Sequence, residues 1–388
     1  MQRSEKLHIK PALIRWARES AGMSVTEAAK RLGIDSKILE EWESSEARPT
    51  PRQLEKLADV YKRPTACFFM PQPPMEPPLP IDFRVLFTGI SQNLSAPTLF
   101  ALRRARRLQR VFADLANGSL QVKLSTIDVT VSLDDSPEAA AEKARTLLNV
   151  STDDQSLLKY PSKAFKVWRH ELGRIGILVF QFSMPLNEVR GFSLSGIPAV
   201  IVVSTKDEFS ARIFTLFHEW AHLLLDRPGI CVPDAIVQTK QTDRIEIFCN
   251  TFAGSLLVPR NTLLEQEIIS AYRTKSISLM EALGKLASVF AVSRDVILRR
   301  MYALGLLPKS EFEDARLTLA TLASQRKPPA GGGGQIPSEK ALNELGPMFV
   351  RRVLEAHNRG VITYRDISDF LSIRLKHLEQ IQELLPAA

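Results

Sequence analysis

The sequence predicts an α+β chain, mainly helical, in three parts: an N-terminal all-α helix-turn-helix module, a middle domain with a small sheet, and a C-terminal helical tail. Three observations carry this. Short amphipathic helical stretches punctuated by Gly and Ser fill residues 11–70. The apolar runs Ile175–Phe182 and Ala199–Val203 have the length and β-branched content of strands. A long apolar helical run, Phe209 to Asp226, carries His218-Glu219-Trp220-Ala221-His222 with no Pro or Gly to interrupt it.

Composition bounds the alternatives. At 388 residues, 45% hydrophobic and 7% aromatic, the chain can build two or three cored domains and is not of disordered composition. A formal net charge of +8 is compatible with a nucleic-acid partner without requiring one. Cys67, Cys231 and Cys249 fit neither a disulfide framework nor a C-x-x-C metal site, which favours a reducing compartment. The N-terminus lacks an apolar signal core, and no apolar run is long enough to span a bilayer, so a cytoplasmic protein with no membrane partner is expected.

In the first segment, Leu13–Ser20 is amphipathic and stops near Gly22. Ser24 can cap Val25–Leu32, with Glu27 completing a capping box, and Gly33 supplies the turn. A third helix follows from about Asp35 to Glu43, and Gln53–Tyr61 begins a fourth. Helix, short Gly-containing turn, helix is the helix-turn-helix layout. The Pro-rich run Met70–Pro80 reads as a stiff extended spacer. Ser95 and Pro97 open a helix to about Asn117 that carries Arg103, Arg104, Arg106, Arg107 and Arg110; an interdomain or solvated face is favoured over nucleic-acid binding. Residues 119–135 suggest strands and Pro137–Leu148 a helix. Lys163–Leu172 is expected to be a helix ended by Gly173, and Gly191-Phe192-Ser193 a turn or edge between strands.

Two histidines four apart project from one helical face and can reach one metal ion, with the glutamate between them placed to take a proton from a water activated there. On an exposed helix such a pair is often accidental. In an apolar helix, burying His, Glu and His together makes sense chiefly if a cation holds them. A third ligand must come from downstream, from Asp226, Asp234, Asp243 or Glu246. Glu246 is preferred, because it lies on a second amphipathic helix, Arg244–Pro259, with apolar positions Ile247, Phe248, Phe252 and Leu256. Otherwise it would be an ordinary exposed first-turn glutamate. His170 and Arg190 are weak candidates for stabilising an oxyanion. Ser278–Phe290, Ala291-Val292-Ser293 and Arg294–Leu304 read as a second helix-turn-helix, at 277–307, with a packing or docking role favoured over DNA. Arg326–Gly334 is a flexible boundary, and Ser338–Asn358 and Tyr364–Leu385 are helices of a small tail. No internal repeat is evident.

Ala21-Gly-Met-Ser24, Glu27-Ala-Ala29, Leu32-Gly-Ile34, Trp42-Glu43, Pro49-Thr50 and Leu54–Ala58 resemble the XRE-type (Cro/repressor-like) helix-turn-helix family. That resemblance implies a third helix in the major groove, with Ser36 and Lys37 at contact positions and Arg31 near phosphate. Two departures stand out: Val25 replaces a common Gln, and the third helix carries Asp35, Glu40, Glu41 and Glu43, which oppose a phosphate backbone. A helical module that recognises protein is the competing reading.

Helix, strands, then an H-E-x-x-H helix is the order seen in zincin metallopeptidases; by that analogy one of the two strands would hold extended substrate by main-chain bonds. The run Ala211–Leu225, followed by Glu246, Asn250, Phe252-Ala253 and Leu256-Leu-Val-Pro259, with Asp82-Phe-Arg84 upstream, looks like the ImmA/IrrE family of metallo-endopeptidases fused to an XRE-type module. The resemblance implies a zincin-like core at 81–307, behind a module at 1–70 and a linker at 71–80; beyond it, the residues themselves give a Gly linker at 326–335 and a helical region at 336–388. It maps His218, His222 and Glu246 to metal ligands, Glu219 to the catalytic base, and Zn²⁺ (or Mn²⁺ or another divalent metal), one ion per chain, to the cofactor. It also implies cleavage of a repressor-type protein in a stress or mobile-element response. Operator DNA is a further expected partner through the N-terminal module, and a homodimer is allowed. A non-cleaving regulator or antitoxin-like binding protein is the alternative. Trp220, where Leu is common, is apolar and is expected to face away from the His218/His222 stripe.

Overall fold

The structure, a computed structural model, describes residues 7–76, 94–117, 131–226, 230–231, 240–325 and 335–385. Asp82-Phe-Arg84, most of the strand region expected at 119–135, the candidate ligand Asp234, and the Gly-rich boundary lie outside these residues. The chain divides into two compact units, Met1–Arg104 and Ala105–Ala388. No helix among the described residues is long and apolar enough to cross a membrane.

The first unit contains helices α1 (Pro11–Ser20), α2 (Val25–Leu32), α3 (Ser36–Ser44) and α4 (Pro51–Tyr61). Local chemistry sets their ends. Pro11 and Pro51 occupy first-turn positions where no amide donor is needed. Ser24 with Glu27, and Thr50 with Gln53, form reciprocal capping boxes. Gly33 closes α2 in the left-handed region at φ 63°. Ile14, Ala17, Leu32, Leu39, Trp42, Leu57 and Phe68 form one core.

The acidity expected of α3 is partly spent inside the unit. Asp35 caps the helix by accepting from the Lys37 amide at 2.9 Å. Glu43 is buried, and both its oxygens accept from Arg18, at 2.7 and 2.8 Å. On this helix Glu40 remains exposed and Glu41 half-buried. The start of the Pro-rich segment is also tied to the unit: Lys10 Nζ donates to Pro71 O at 2.6 Å, and Arg63 pairs with Glu76.

The division between units falls within the helix Ala96–Asn117. Of its arginines, Arg103 donates to Tyr61 O at 3.0 Å and lies over the Phe100 ring.

The second unit is built on a small sheet of order β1-β3-β2-β4, with β1 Leu178–Phe182, β2 Gly191–Leu194, β3 Val200–Ser204 and β4 Ile230–Cys231. β1 runs parallel to β3, and β2 antiparallel to both β3 and β4. Gly191-Phe192-Ser193, expected as a turn or edge, is thus a strand segment, paired with β3 throughout and with β4 at Gly191 and Phe192, a state set by its neighbours rather than by its own residues. Gly173 does not end its helix, which runs from Pro161 to Arg174; the turn comes at Gly176 with φ 89°.

The strands expected to hold substrate are both engaged. β3 is paired along both edges. On β1, the Val179 carbonyl is taken by the buried Arg169 guanidinium, which also donates to Asn343 O at 2.6 Å, and Gln181 Nε2 donates to Asn343 O at 2.7 Å. Those carbonyls belong to the helix Pro337–Asn358, which breaks at Gly346 (φ 79°, ψ 155°) before Pro347. Its Phe349 packs edge-on against Phe180, ring centroids 5.7 Å apart.

Two long helices carry the candidate site, the first packed on the sheet. The first, Phe209–Leu224, is buried over most of its length; the second, Lys240–Leu257, packs along it. Trp220 joins them, lying edge-on to Phe252 at 6.0 Å and against Phe217 at the same separation. It faces the core, as expected from its apolar bulk.

Candidate metal centre

The helix Phe209–Leu224 aims three functional side chains inward. His218 and His222 are each 1% exposed and Glu219 is fully buried. Glu246, in the first turns of the second helix, comes to meet them. Its Oε2 lies 3.3 Å from His218 Nε2 and its Oε1 lies 3.3 Å from His222 Nε2. The two imidazole Nε2 atoms are 3.1 Å apart. Among the described residues, these three form the group of His, Cys, Asp or Glu side chains able to hold a metal ion.

The donor set fits a tetrahedral divalent ion. Ligand bonds of about 2.0–2.1 Å imply ligand atoms about 3.3 Å from one another, close to the separations found. Two imidazoles and one carboxylate leave a fourth position open, the composition of a hydrolytic rather than a closed structural site. His218 Nδ1 lies 3.0 Å from Asn250 Oδ1. That oxygen can only accept, so Nδ1 carries the proton and Nε2 presents its lone pair to the centre.

The electrostatics point the same way. Burial alone would raise the Glu246 carboxyl, but the charges and hydrogen bonds of His218 and His222 hold it well below the usual carboxylate range. Burial alone would lower His222. It is raised well above the ordinary histidine value, by the Cys249 sulfur, Glu246 and Glu219 in turn. Burial pushes the Cys249 thiol itself up, so at neutral pH it is uncharged and the pull on His222 falls to the carboxylates. The centre attracts positive charge, whether a proton or a metal ion.

Glu219 differs from its neighbours. Neither carboxylate oxygen has a regular hydrogen bond, and burial raises its pKa against the opposing pull of His222, His218 and the nearby Ser193. A buried carboxylate with no regular hydrogen bond costs a fold on the order of a few kcal/mol. It lies beside the two imidazoles, where a carboxyl with a raised pKa marks a candidate functional group.

β2 is pressed against this point. A Cβ built on Gly191 would meet Thr215 Cγ2 at 2.5 Å and Val202 O at 2.8 Å, with Glu219 Cγ at 3.7 Å. Glycine here is a matter of room between strand and helix.

Sequence reasoning overlooked Gly191, Ser193, Cys249 and the role of Asn250. Signals for three of them exist. Cys249 and Asn250 lie three and four residues past Glu246, on the same helical face, and a glycine inside an apolar strand marks close backbone approach. Of the other candidate ligands, Asp226 is exposed in the left-handed region just beyond its helix, at φ 52°. Asp243 is placed on the second helix by its backbone alone. Arg190 is ion-paired with Asp207 at 2.7 Å, and His170 is exposed on its helix beside Arg351 and Glu355. In the first unit, Arg31 and Lys37 are exposed and Ser36 is half-buried at the start of α3. The 277–307 pair forms as expected, but Arg300 is buried, bonded to Glu138 and to Val258 O at 2.8 Å, which is a packing role.

Comparison with known families agrees with this geometry. Residues 172–302 match the family described as IrrE N-terminal-like domain, and residues 14–66 match the helix-turn-helix family. The search of curated proteins finds no match. Over these two stretches the chain is similar to the IrrE N-terminal-like domain and to the helix-turn-helix family, in that fused order.

Proposed function

We propose that the chain is a metal-dependent endopeptidase, with His218, His222 and Glu246 as the ligands of one divalent ion and Glu219 as general base. The observation that carries this reading is the triangle of ligand atoms at 3.1–3.3 Å beside a buried carboxylate that has no other work. Zn²⁺ is favoured by the His, His, carboxylate set, and Mn²⁺ suits it as well. Bound there, the ion would act as a Lewis acid on water and on the scissile carbonyl. The chain's own residues do the rest. Glu219 takes the proton of the attacking water and returns it to the leaving amine, and its raised pKa suits both transfers. Asn250 holds the His218 ring in one tautomer and orientation. Gly191 lets β2 lie close enough for its backbone to border the reacting groups.

The substrate proposed is a repressor-type DNA-binding protein, cleaved in a stress or mobile-element response. The fused helix-turn-helix domain supports a target of that kind, since it can bring the peptidase to an operator or to a repressor. The test uses purified protein with Zn²⁺ or Mn²⁺ and candidate repressors, beside Glu219→Gln. Cleavage by the wild type alone supports the proposal. Identical outcomes for both proteins refute it in favour of a non-cleaving regulator.

A further inference from the structure

The C-terminal helices repeat the geometry of the N-terminal helix-turn-helix domain. In the first copy, Ser24 caps Val25–Leu32, Glu27 closes the capping box, and Gly33 ends the helix at φ 63°, ψ 43°. The Ile34 amide then returns to Ala29 O at 3.1 Å. In the second, Thr363 caps Tyr364–Leu371, Asp366 closes the capping box, and Ser372 ends the helix at φ 54°, ψ 41°. The Ile373 amide returns to Ser368 O at 3.2 Å. Both capped helices have 8 residues. The next arm is Ser36–Ser44 in the first copy; in the second it is a 3-10 turn, Leu375–His377, running on into Leu378–Glu383. One constant offset pairs Leu32 with Leu371, Ile34 with Ile373, Lys37 with Lys376, Leu39 with Leu378 and Trp42 with Ile381. Leu32 and Leu371 are each 1% exposed, and Trp42 and Ile381 are likewise buried. Each copy is preceded by a helical stretch that starts at a proline, Pro11 or Pro347, and ends at a left-handed glycine, Gly22 or Gly360. The family matches stop at residues 66 and 302, well short of this region.

The same turn can serve packing alone, and the chain shows what that looks like. Between Leu279–Phe290 and Arg294–Ala303, Ala291 sits at φ 52° and Val292 N–H bonds Ala287 O at 3.0 Å. There the second arm is swallowed: Val296, Ile297, Leu298, Arg300 and Met301 are all buried. In the C-terminal copy the helix Leu378–Glu383 buries only Ile381, and the turn before it is open.

The start of the second arm is basic. Where the first copy spends Asp35 as a cap, the second has Arg374. Lys376 stands in the register of Lys37, and the neutral Gln380 replaces Glu41. Arg374 and Lys376 are exposed and make no ion pair among the described residues, and Arg365 is exposed on the preceding helix. The exposed acids of this region are Glu379 and Glu383 on the second arm and Asp369 on the first, with Glu379 in the register of Glu40. Cations at the start of a second arm, with another on the helix that would cross the backbone, suit the phosphates of a duplex.

We propose that residues 347–385 are a second helix-turn-helix domain, which holds duplex DNA through Arg374 and Lys376 with Arg365 on the backbone. It stands apart from the peptidase reading, because it uses none of the metal-centre residues.

The test measures binding of the full-length protein to a fluorescent duplex of mixed sequence by anisotropy across a salt series. Two lost phosphate contacts, at about 0.9 each, make the slope of log K against log salt shallower by about 2. The fall in affinity between about 50 and 200 mM salt then shrinks by about tenfold in Arg374→Ala/Lys376→Ala. Arg374→Lys/Lys376→Arg keeps the wild-type slope. The alanine pair has the same effect in an Arg31→Ala/Lys37→Ala background, which separates this surface from the N-terminal domain. Both side chains are exposed and unpaired, so circular dichroism and the melting temperature stay at wild-type values; Arg365→Ala is a second, independent variant that lowers the slope by about 1. No duplex binding by the full chain overturns the proposal, as does an unchanged slope in the alanine pair, which would leave this face to a protein partner.

Discussion

The two units each bury a cluster of charge, and they treat it in opposite ways. In the first, Arg18 and Glu43 meet through two hydrogen bonds at 2.7 and 2.8 Å, and Arg18 also donates to Met23 O at 3.0 Å. The hydrogen bond to Glu43 raises the Arg18 pKa above its ordinary value despite burial, so the guanidinium stays charged. In the second, Glu219 is as deeply buried, yet neither of its oxygens makes a regular hydrogen bond, and nor does His222 Nδ1; Ser193 is the polar side chain near the carboxylate. A pair that serves only the fold is closed on itself. A carboxylate kept from closing in this way is free for chemistry, the role proposed for Glu219.

That contrast can be broken most directly at its two glutamates. Glu219→Gln should lower the rate of peptide hydrolysis by about 10²–10⁴-fold. It should also raise the unfolding midpoint in urea, since it removes a buried charge that makes no regular hydrogen bond. Loss of activity with loss of stability would place Glu219 with Glu43 instead. Glu43→Ala should destabilise the first unit by about 3–5 kcal/mol, because Arg18 is left buried and unpaired. Arg18→Met together with Glu43→Leu should recover most of that loss in the same urea titration.

Smaller effects sharpen the comparison around the centre. Gly191→Ala should cost about 1–3 kcal/mol by overpacking against Thr215 and the Val202 carbonyl, and should depress hydrolysis with it. Gly254→Ala is the matched control: nothing lies within 4 Å of its new Cβ, so this helical position should gain about 0.5–1 kcal/mol. Wild-type activity in Gly191→Ala would show that β2 has slack beside Glu219. Smallest is Asn250→Ala, which frees the His218 ring and should weaken metal binding by about 10–100-fold in a competition titration with a chromophoric chelator.

What could be read in advance divides along physical lines. Helix α2 has the bounds its capping box and Gly33 announce, because both signals lie within the helix or next to it. His218, Glu219 and His222 were legible for the same reason: a four-residue spacing is local. Glu246 needed an inference across 24 residues from His222 to a second helix, and amphipathicity sufficed to single it out. Where the state depends on distant partners, reading failed. Gly191-Phe192-Ser193 looks like a turn or edge until β3 and β4 pair with it. Glu43 looks like a surface acid on a charged helix until Arg18, 25 residues away, closes over it. The helix-turn-helix repeat escaped notice because its left-handed turn accepts Gly33, Ala291 or Ser372, so no single letter marks it. Its regularity lies in backbone angles and in a few buried positions.

The central claim is that His218, His222 and Glu246 together hold one divalent ion. Metal content after exhaustive dialysis against buffer containing trace Zn²⁺ tests it most directly, by elemental analysis of the wild type, Glu219→Gln and His222→Ala. The account predicts one ion per chain in the wild type and in Glu219→Gln, and close to none in His222→Ala. A wild-type chain that retains no ion, or a His222→Ala chain that retains as much, would contradict it.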